Sequence, residues 1–411
     1  MRRYASASDS QTAATASGGE PTWRADSSAR RLVADDPVRT AHLLWLHASI
    51  AYRAGHISRA VRWSGRALRM LEPVPGDAAA AGRSHVVATL AAVRQRQGRS
   101  AEAVRLARQA IADAEAAGEE LALGHACQIL ETALVMSGRA TETGYSARAL
   151  EIFRRHGAAD RESAVLNNMG GFAYRAGRWD DAVSLYRESG DASRRAGDVA
   201  FEAFADCNVG EVLSDQGRLE EAEPLLRRAL QIWRGTEDEH GIAFVTTLLG
   251  RLHARSGHAG EAAKLLEDAF ARFATLGVEI DAAFVKALLV EAALFDGRAE
   301  EAHERALVLL DDLPADALLD ALLHHLTGVA LAQTGETAAA GLAFTAGLEA
   351  ARSSELPLET AFVLDALERL DPVPARRAEL DALLARLDIV RLPAPPLARP
   401  RGAAAHVRLG R

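Results

Sequence analysis

Cysteine, lysine and aromatic residues are scarce in this chain of 411 residues. Its 2 cysteines are too few for a disulfide scaffold or a cysteine-based zinc site. Aromatic residues make up 5% of the chain while 87 positions are alanine, which argues against an all-β fold and for a mostly helical one. No apolar run of about 18 residues occurs, so a transmembrane helix is not expected.

Charge is unevenly distributed along the sequence. The net charge is −8 overall, but residues 31–390 carry 39 basic and 53 acidic side chains, a net charge of −14. A body this acidic is a poor ligand for nucleic acid or an anionic membrane, because phosphate contacts need clustered Lys and Arg. The start, Met1 to Tyr4, is not followed by an apolar stretch, so no signal peptide and a cytoplasmic location are expected.

The residue patterns of common active sites are missing. The two lysines, Lys264 and Lys286, do not follow a glycine, so there is no phosphate-binding Walker A motif. The G-x-G-x-x-G, G-x-S-x-G and H-E-x-x-H motifs are also absent. Adjacent His324 and His325 point apart on a helix and are not expected to bind a metal. We therefore predict no catalytic residue, no cofactor and no metal site.

A glycine followed by Arg, His or Glu recurs at intervals of 38 to 43 residues. The eight turn glycines are Gly55, Gly98, Gly138, Gly177, Gly217, Gly257, Gly297 and Gly335. Helical patterns flank each one, and after Gly217 the apolar residues from Leu219 to Ala229 share one helix face. Two helices per unit and a period near 40 residues predict a solenoid of helix-turn-helix repeats.

Small residues recur at fixed distances from these turn glycines. Seven residues before lie Gly170, Gly210, Gly250 and Gly328, and five residues after lie Ala60, Ala103, Ala182, Ala222, Ala262, Ala302 and Ala340. Helices approach closely only where small side chains meet. This pattern resembles the tetratricopeptide repeat (TPR) family, in a variant of about 40 residues like the repeats of kinesin light chains and large bacterial signalling regulators. Glu131 and Thr143 replace small residues in the third unit, whose packing is expected to differ.

The resemblance covers about residues 38–370 and implies an all-α fold, a right-handed superhelical solenoid of about eight TPR-like repeats. We expect a disordered segment at 1–30, the solenoid at 31–374, a capping helix at 375–392 and a Pro/Arg-rich disordered tail at 393–411. The stretch Arg386 to Pro393 resembles the C-terminal end of actinobacterial proteins that join a nucleotide cyclase, an ATPase and a TPR array. That likeness implies a sensor array, standing alone or separated from its enzymatic half.

In the TPR family, first-helix residues at fixed distances before the turn glycine face the central groove. These positions hold Asn167, Asn168, Tyr174 and Arg175 in the fourth unit, Phe204, Asn208 and Glu211 in the fifth, and Phe244, Arg251 and Arg255 in the sixth. Asn amides suit the backbone of an extended peptide, arginines suit carboxylates, and phenylalanines suit apolar anchors. The run Leu166-Asn167-Asn168 resembles one in kinesin-light-chain-like repeats. The alternative interpretation is packing or simple solvation.

Three histidines occupy one equivalent position in three successive units. His42, His85 and His125 each lie thirteen residues before a turn glycine. A histidine column on the inner surface would bind an acidic peptide when protonated, or respond to pH, and the alternative is coincidence at solvated positions. Cys127 and Cys207 lie two repeats apart, so we predict two buried thiols rather than a redox pair.

These features favour a protein-interaction scaffold that binds a peptide or a partner domain on the concave face of the array, with micromolar affinity. The alternative is a regulatory or sensor module of a signalling ATPase, nucleotide cyclase or transcriptional regulator, whose catalytic or DNA-binding part is absent from this chain.

Overall fold

The computed structural model describes residues 36–53, 55–137, 144–312 and 316–398, except the side chains of Arg53 and Met136. These residues form eighteen α-helices and no β-strand. In chain order the helices are α1 (Pro37–Arg53), α2 (Ile57–Leu71), α3 (Asp77–Arg96), α4 (Ser100–Ala117), α5 (Glu120–Met136), α6 (Tyr145–Arg155), α7 (Ala159–Arg175), α8 (Trp179–Ala196), α9 (Val199–Asp215), α10 (Leu219–Gly235), α11 (Glu239–Arg255), α12 (Ala259–Leu276), α13 (Glu279–Phe295), α14 (Ala299–Asp312), α15 (Ala317–Thr334), α16 (Thr337–Ser353), α17 (Pro357–Leu370) and α18 (Pro374–Arg386). The expected disordered segment 1–30 lies outside the described residues.

Consecutive helices pack in pairs, and a turn glycine reverses the chain within a pair. Gly217 and Gly257 have φ angles of 81° and 83°, a left-handed conformation that glycine adopts without a steric penalty. After Gly217, the N–H of Arg218 donates to the carbonyl of Leu213, which closes the end of α9. The predicted all-α solenoid of helix-turn-helix repeats is confirmed.

The small residues lie where paired helices touch. A Cβ atom at Gly250 of α11 would be 2.7 Å from the Cγ of Leu266 in α12, closer than carbon atoms pack. In the preceding repeat, a Cβ atom at Gly210 would be 2.8 Å from the Cδ2 of Leu226. Ala262, five residues after its turn glycine, is fully buried. Close helix contact at these positions is therefore what requires small side chains.

The third repeat departs from the others at the sites that the sequence marks. Glu131 of α5 stands where the fourth repeat has Gly170, and its buried carboxylate accepts a hydrogen bond from the backbone N–H of Ser146. Ser146 lies in the first turn of α6, so Glu131 caps a helix of 11 residues instead of allowing close helix packing. Thr143 and Gly138 lie outside the described residues.

The chain divides into two compact units. Among the described residues, the N-terminal unit comprises residues up to 169 together with 191–201, and the C-terminal unit comprises 170–190 and the residues from 202 to 398. The core of the N-terminal unit is mainly Ala, Val and Leu, and Phe153 is one of its large buried side chains. The buried rings of the C-terminal unit include Trp233, Phe273 and Phe344.

The C-terminal unit ends in two helices and a non-helical stretch. Helix α17 begins at Pro357, a residue suited to the first turn, and α18 ends at Arg386. Residues 389–398 are not helical, and Pro393 and Pro395 are buried. The sequence predicts disorder from residue 393, whereas 393–398 pack against the repeats. Among the described residues, none of the helices has both the length and the apolarity that a bilayer crossing requires.

Candidate partner-binding surface

The first helices of successive repeats form one layer in the C-terminal unit. Helix α11 contacts α13, α13 contacts α15, and α15 contacts α17. We call this set, together with residues 202–215 of α9 and the following Gln216, the first-helix layer. Two positions in the repeat carry charge that alternates in sign from one repeat to the next. Six residues before the turn glycine lie Glu211, Arg251 and Glu291, and two residues before it lie Arg175, Asp215 and Arg255.

Asp215 is held by two neighbouring first helices. The Nη1 of Arg255 in α11 donates to Asp215 Oδ1 at 2.7 Å and to Ser214 Oγ at 2.8 Å. The hydroxyl of Tyr174, at the end of α7, donates to Asp215 Oδ2 at 2.6 Å. The side chains of Asp215 and Arg255 are each 1% exposed. Donors from Arg255 and Tyr174 thus replace the water shell of this buried carboxylate.

A second ion pair lies directly beside the first. The Nε of Arg251 donates to Glu291 Oε2 at 3.0 Å, one repeat further along the chain. Arg251 Nη1 is 3.9 Å from Asp215 Oδ1, and Arg255 Nε is 3.8 Å from Glu291 Oε1. We call the four residues Asp215, Arg251, Arg255 and Glu291 the charge ladder. Its two acids and two arginines balance in charge.

The ladder changes the pKa values of nearby groups. Burial alone would lower the pKa of Arg251, but the carboxylates of Glu291 and Asp215 outweigh it and hold that pKa above its ordinary value. Burial raises the pKa of Glu359 in α17 to about 7, although Arg251 opposes the rise. In α15 burial, assisted by Arg251, lowers the pKa of His325 to about 3, and its ring stacks on Phe362 with centroids 5.4 Å apart.

Of the ten predicted partner-binding residues, two lie in the N-terminal unit and eight in the C-terminal unit. Asn167 is buried and Asn168 half-buried on α7 of the N-terminal unit. Asn208 of α9 is also buried, at 5% exposed. Glu211 and Arg175 are half-buried. The more accessible of the predicted polar residues are therefore Asn168, Tyr174, Arg175 and Glu211, and the others are buried.

The sequence suggests that Arg251 and Arg255 offer their guanidinium groups to the carboxylates of a partner, and the structure places them differently. Both are buried, and both already face Asp215 or Glu291 of the same chain. The carboxylates come from the first helices on either side, which have the opposite charge at the same repeat positions. The alternation in sign at 40-residue spacing is the sequence signal that predicts this pairing.

The two predicted aromatic anchors stack on each other instead of projecting outward. Phe204 is 4% exposed, and its ring lies parallel to that of Phe244 with centroids 5.5 Å apart. The ring of Trp233 in α10 meets Phe204 edge-on, also at 5.5 Å. These rings come from successive repeats and pack against one another. Aromatic pairs in stacked and edge-on geometries stabilise such an interface. Phe244 is half-buried and is the more accessible of the two.

The histidine column lies in the N-terminal unit. The ring of Trp45 lies between His42 and His85, with centroid distances of 5.1 and 4.7 Å. Burial lowers the pKa of His85 to about 4 and that of His125 to about 3, and Arg161 adds to both shifts. His85 and His125 are therefore neutral at pH 7, and neither ring attracts an acidic peptide electrostatically.

Residues 387–398, which we call the C-terminal strap, lie against the repeats of the C-terminal unit. The amide Nε2 of Gln216 donates to the carbonyl of Leu387 at 3.2 Å, and the N–H of Val390 donates to the carbonyl of Gln216 at 3.0 Å. Further along, the Nε2 of Gln333 donates to the carbonyl of Pro396 at 2.7 Å. Sequence patterns did not predict these contacts, because Gln216 and Leu387 are 171 residues apart.

The strap also touches the turns of two repeats. The carbonyl of Arg391 occupies the space that a Cβ atom at Gly217 would need, and Leu387 Cδ2 lies 3.2 Å from the corresponding point at Gly177. Leu397 packs against the core of α11 to α17. The array thus holds a non-helical stretch of chain through the side-chain amides of Gln216 and Gln333, the backbone carbonyl of Gln216 and the glycine turn at Gly217.

The described residues contain no cluster of three or more His, Cys, Asp or Glu side chains with the geometry of a metal site. Cys127 and Cys207 are both buried free thiols. Burial raises the pKa of Cys127 to about 11 and that of Cys207 well above its ordinary value. Both sulfurs are therefore protonated at neutral pH and poor nucleophiles.

Sequence and structure comparisons agree on the repeat. The tetratricopeptide repeat model matches residues 201–275. A Rap protein complexed with Competence and Sporulation Factor is similar in structure, with 15% identity, a TM-score of 0.61, and coverage of 85% of this chain and 99% of that one. A signal transduction ATPase with a tetratricopeptide repeat sensor, from Pyrococcus horikoshii, has 15% identity and a TM-score of 0.52.

The alignment with the Pyrococcus protein covers 87% of this chain and 51% of that one. At these identities the two structures establish the fold alone. No curated protein matches the sequence. The matched family model, the 40-residue period with its turn glycines, and the packed helix pairs together show that this chain carries tetratricopeptide repeats.

Proposed function

We propose that the chain is a protein-interaction module whose first-helix layer in the C-terminal unit binds an extended segment of a partner protein. The observation that carries this proposal is the C-terminal strap, a non-helical stretch that the layer holds by its backbone. Gln216 and Gln333 donate to strap carbonyls, which every peptide possesses whatever its sequence. TPR arrays generally mediate protein–protein interaction, and this family is generally not catalytic.

The charge ladder supports the proposal in a different way from the one that the sequence suggests. Its four side chains neutralise one another inside the layer, so they shape and stiffen the surface rather than binding a charged ligand. Recognition of a partner then depends on amides, backbone groups and apolar contacts near the turns. Glu211 remains a candidate contact residue of this layer, because its side chain is only half-buried on α9.

Selection from a displayed library of random twelve-residue peptides, with the full chain as bait, tests the proposal. A benzophenone amino acid in place of Glu211, on the first-helix side, should cross-link to the enriched peptides. The same group in place of Arg227, exposed on the second helix α10, should not. Failure to enrich any peptide, or equal cross-linking at both positions, would contradict a first-helix binding surface.

A regulatory role is the second candidate function. One fold neighbour is described as a signal transduction ATPase with a TPR sensor, and this chain aligns with about half of it. In such a role the layer would bind its ligand in the same way and pass the change to a catalytic or DNA-binding part. The test is whether an ATPase, cyclase or helix-turn-helix domain is encoded in the same reading frame.

A further inference from the structure

We infer that the C-terminal strap is an internal competitor for the partner, and that the partner segment is an extended, proline-containing peptide patterned like residues 387–398. This inference rests on the proposed function, since it names the chemistry of the ligand for the same surface. The strap occupies the places where a partner backbone would bind, at Gln216, at the turn of Gly217 and at Gln333.

The contacts of the strap are those of a bound peptide rather than of a core element. Its hydrogen bonds to Gln216 and Gln333 use backbone groups of the strap, while the side chain of Val390 is 66% exposed and that of Arg391 is exposed. Two proline rings are buried in the contact. Proline restricts the backbone to extended conformations, so a segment of this kind loses little entropy on binding.

The strap forms only some of the hydrogen bonds that Gln216 and Gln333 can make. The side-chain oxygens of Gln216 and Gln333 are buried and have no hydrogen-bond partner among the described residues, although both amide nitrogens donate. A buried acceptor without a partner costs about 1–3 kcal/mol. Pro395 and Pro396 carry no N–H to offer near Gln333. A partner segment that supplies N–H or O–H donors to these two oxygens binds better than the strap and displaces it.

The same contacts define the pattern of the partner. The carbonyl of Gln216 accepts the N–H of Val390, so the residue at that position in a partner is not proline. The glycine turn at Gly217 leaves room for a carbonyl to approach closely. Leu397 packs on the core of the unit, so the matching residue is a large aliphatic one. The arginine of the strap points to solvent and is not required.

A full-length variant with the strap released tests the inference. Val390→Pro removes the nearer of the two N–H groups that the carbonyl of Gln216 accepts, at 3.0 Å against 3.4 Å for that of Arg391. Leu397→Ser removes the apolar contact, and no residue of the repeats is changed. The matched control combines Val390→Ala, which keeps the N–H, with Ala398→Ser at an exposed site. The probe is a fluorescent synthetic peptide with the sequence of residues 387–398, and binding is followed by fluorescence anisotropy.

The released variant should bind the probe at least about tenfold more tightly than the wild type or the control. A tethered competitor acts at an effective concentration on the order of 1 mM, so a strap whose own affinity is micromolar, like that of the probe, weakens the probe by this much or more. Equal affinity in all three proteins would overturn the competitor role. If peptides from the random library still cross-linked at position 211, the proposed function would stand without the competitor. Loss of both would remove both proposals.

A second pair of variants keeps the test valid if the released variant does not fold. Gly217→Ala places a methyl group on the carbonyl of Arg391, whereas Gly257→Ala has the same backbone φ angle and nothing within 4 Å. Hydrogen exchange of the Val390 amide should be at least about tenfold faster in Gly217→Ala than in Gly257→Ala. Equal exchange would show that the strap does not lie on this turn in solution.

Discussion

The charge ladder shows how single residues acquire different roles from those that their type suggests. An arginine on a TPR first helix is a natural candidate to bind a carboxylate of a partner, and Arg251 and Arg255 have that position. Both face acids of adjacent repeats instead, in a site from which water is largely excluded. Their contribution is therefore to the coupling between repeats, because neither repeat satisfies these charges alone.

Removing one member of the ladder should destabilise the C-terminal unit strongly. Arg251→Ala leaves Glu291 buried with its nearest donor lost, and we expect a decrease of about 3–5 kcal/mol in the free energy of unfolding, measured by urea denaturation. The control Arg227→Ala breaks an exposed pair with Glu223 and should cost less than about 1 kcal/mol. Similar small losses in both variants would contradict a buried, mutually dependent network.

At the scale of helices, two kinds of glycine determine the repeat. Turn glycines permit the left-handed conformation between the paired helices, and helix glycines permit close contact between them. Gly328 in α15 is of the second kind, since a Cβ atom there would be 2.5 Å from the ring of Phe344 in α16. Gly341 of α16 has nothing within 4 Å and serves neither purpose.

Alanine should therefore have opposite effects at the two helix glycines of the eighth repeat. Gly328→Ala forces α15 and α16 apart and should lower the free energy of unfolding by about 1–3 kcal/mol, despite the better helix propensity of alanine. Gly341→Ala meets open space and should raise it by about 0.5–1 kcal/mol. Thermal unfolding followed by circular dichroism measures both, and stabilisation by Gly328→Ala would refute the close contact.

At the scale of the whole molecule, the two units hold different titratable groups. In the N-terminal unit His85 and His125 have pKa values of about 4 and 3, below the ordinary value of 6.5. Their stabilisation is present above pH 6.5 and is lost as the pH falls below it. In the C-terminal unit Glu359 has a pKa of about 7, above its ordinary 4.5, so its stabilisation is complete below pH 4.5 and is lost as the pH rises through 7. The pKa of His325 is lowered to about 3, so its stabilisation, like that of His85 and His125, is lost as the pH falls below 6.5.

Between pH 7 and pH 5 the N-terminal unit should accordingly lose more stability than the C-terminal unit, where Glu359 offsets His325. Hydrogen exchange, corrected for the intrinsic effect of pH, should show a greater loss of protection in α3 to α5 than in α13 to α17. Glu359→Gln removes the offset and should bring the losses in the two units closer together. Equal losses in the unmutated protein would show that these buried groups do not control its acid sensitivity.

The repeat itself could be predicted from sequence because its determinants are local. Gly217 and Leu226 lie within one helix pair, and the interval between Gly217 and Gly257 equals one repeat. For the candidate site, the sequence predicted where each side chain lies along its helix, but not whether it is exposed. Asn208 and Phe204 lie on the first helix as expected, but their burial depends on neighbours such as Phe244 and Trp233. A periodic pattern locates a side chain on a helix without deciding what covers it.

The amino-acid sequence alone thus determined the all-α repeat, its period, its turns and the places where helices touch. Those features depend on backbone conformation and side-chain size over a few residues. Only the tertiary structure decided that Arg255 pairs with Asp215 and that the strap lies on Gln216 and Gln333. Such contacts join residues from 40 to 171 positions apart, and each replaces water at a site that exists only after the repeats have stacked.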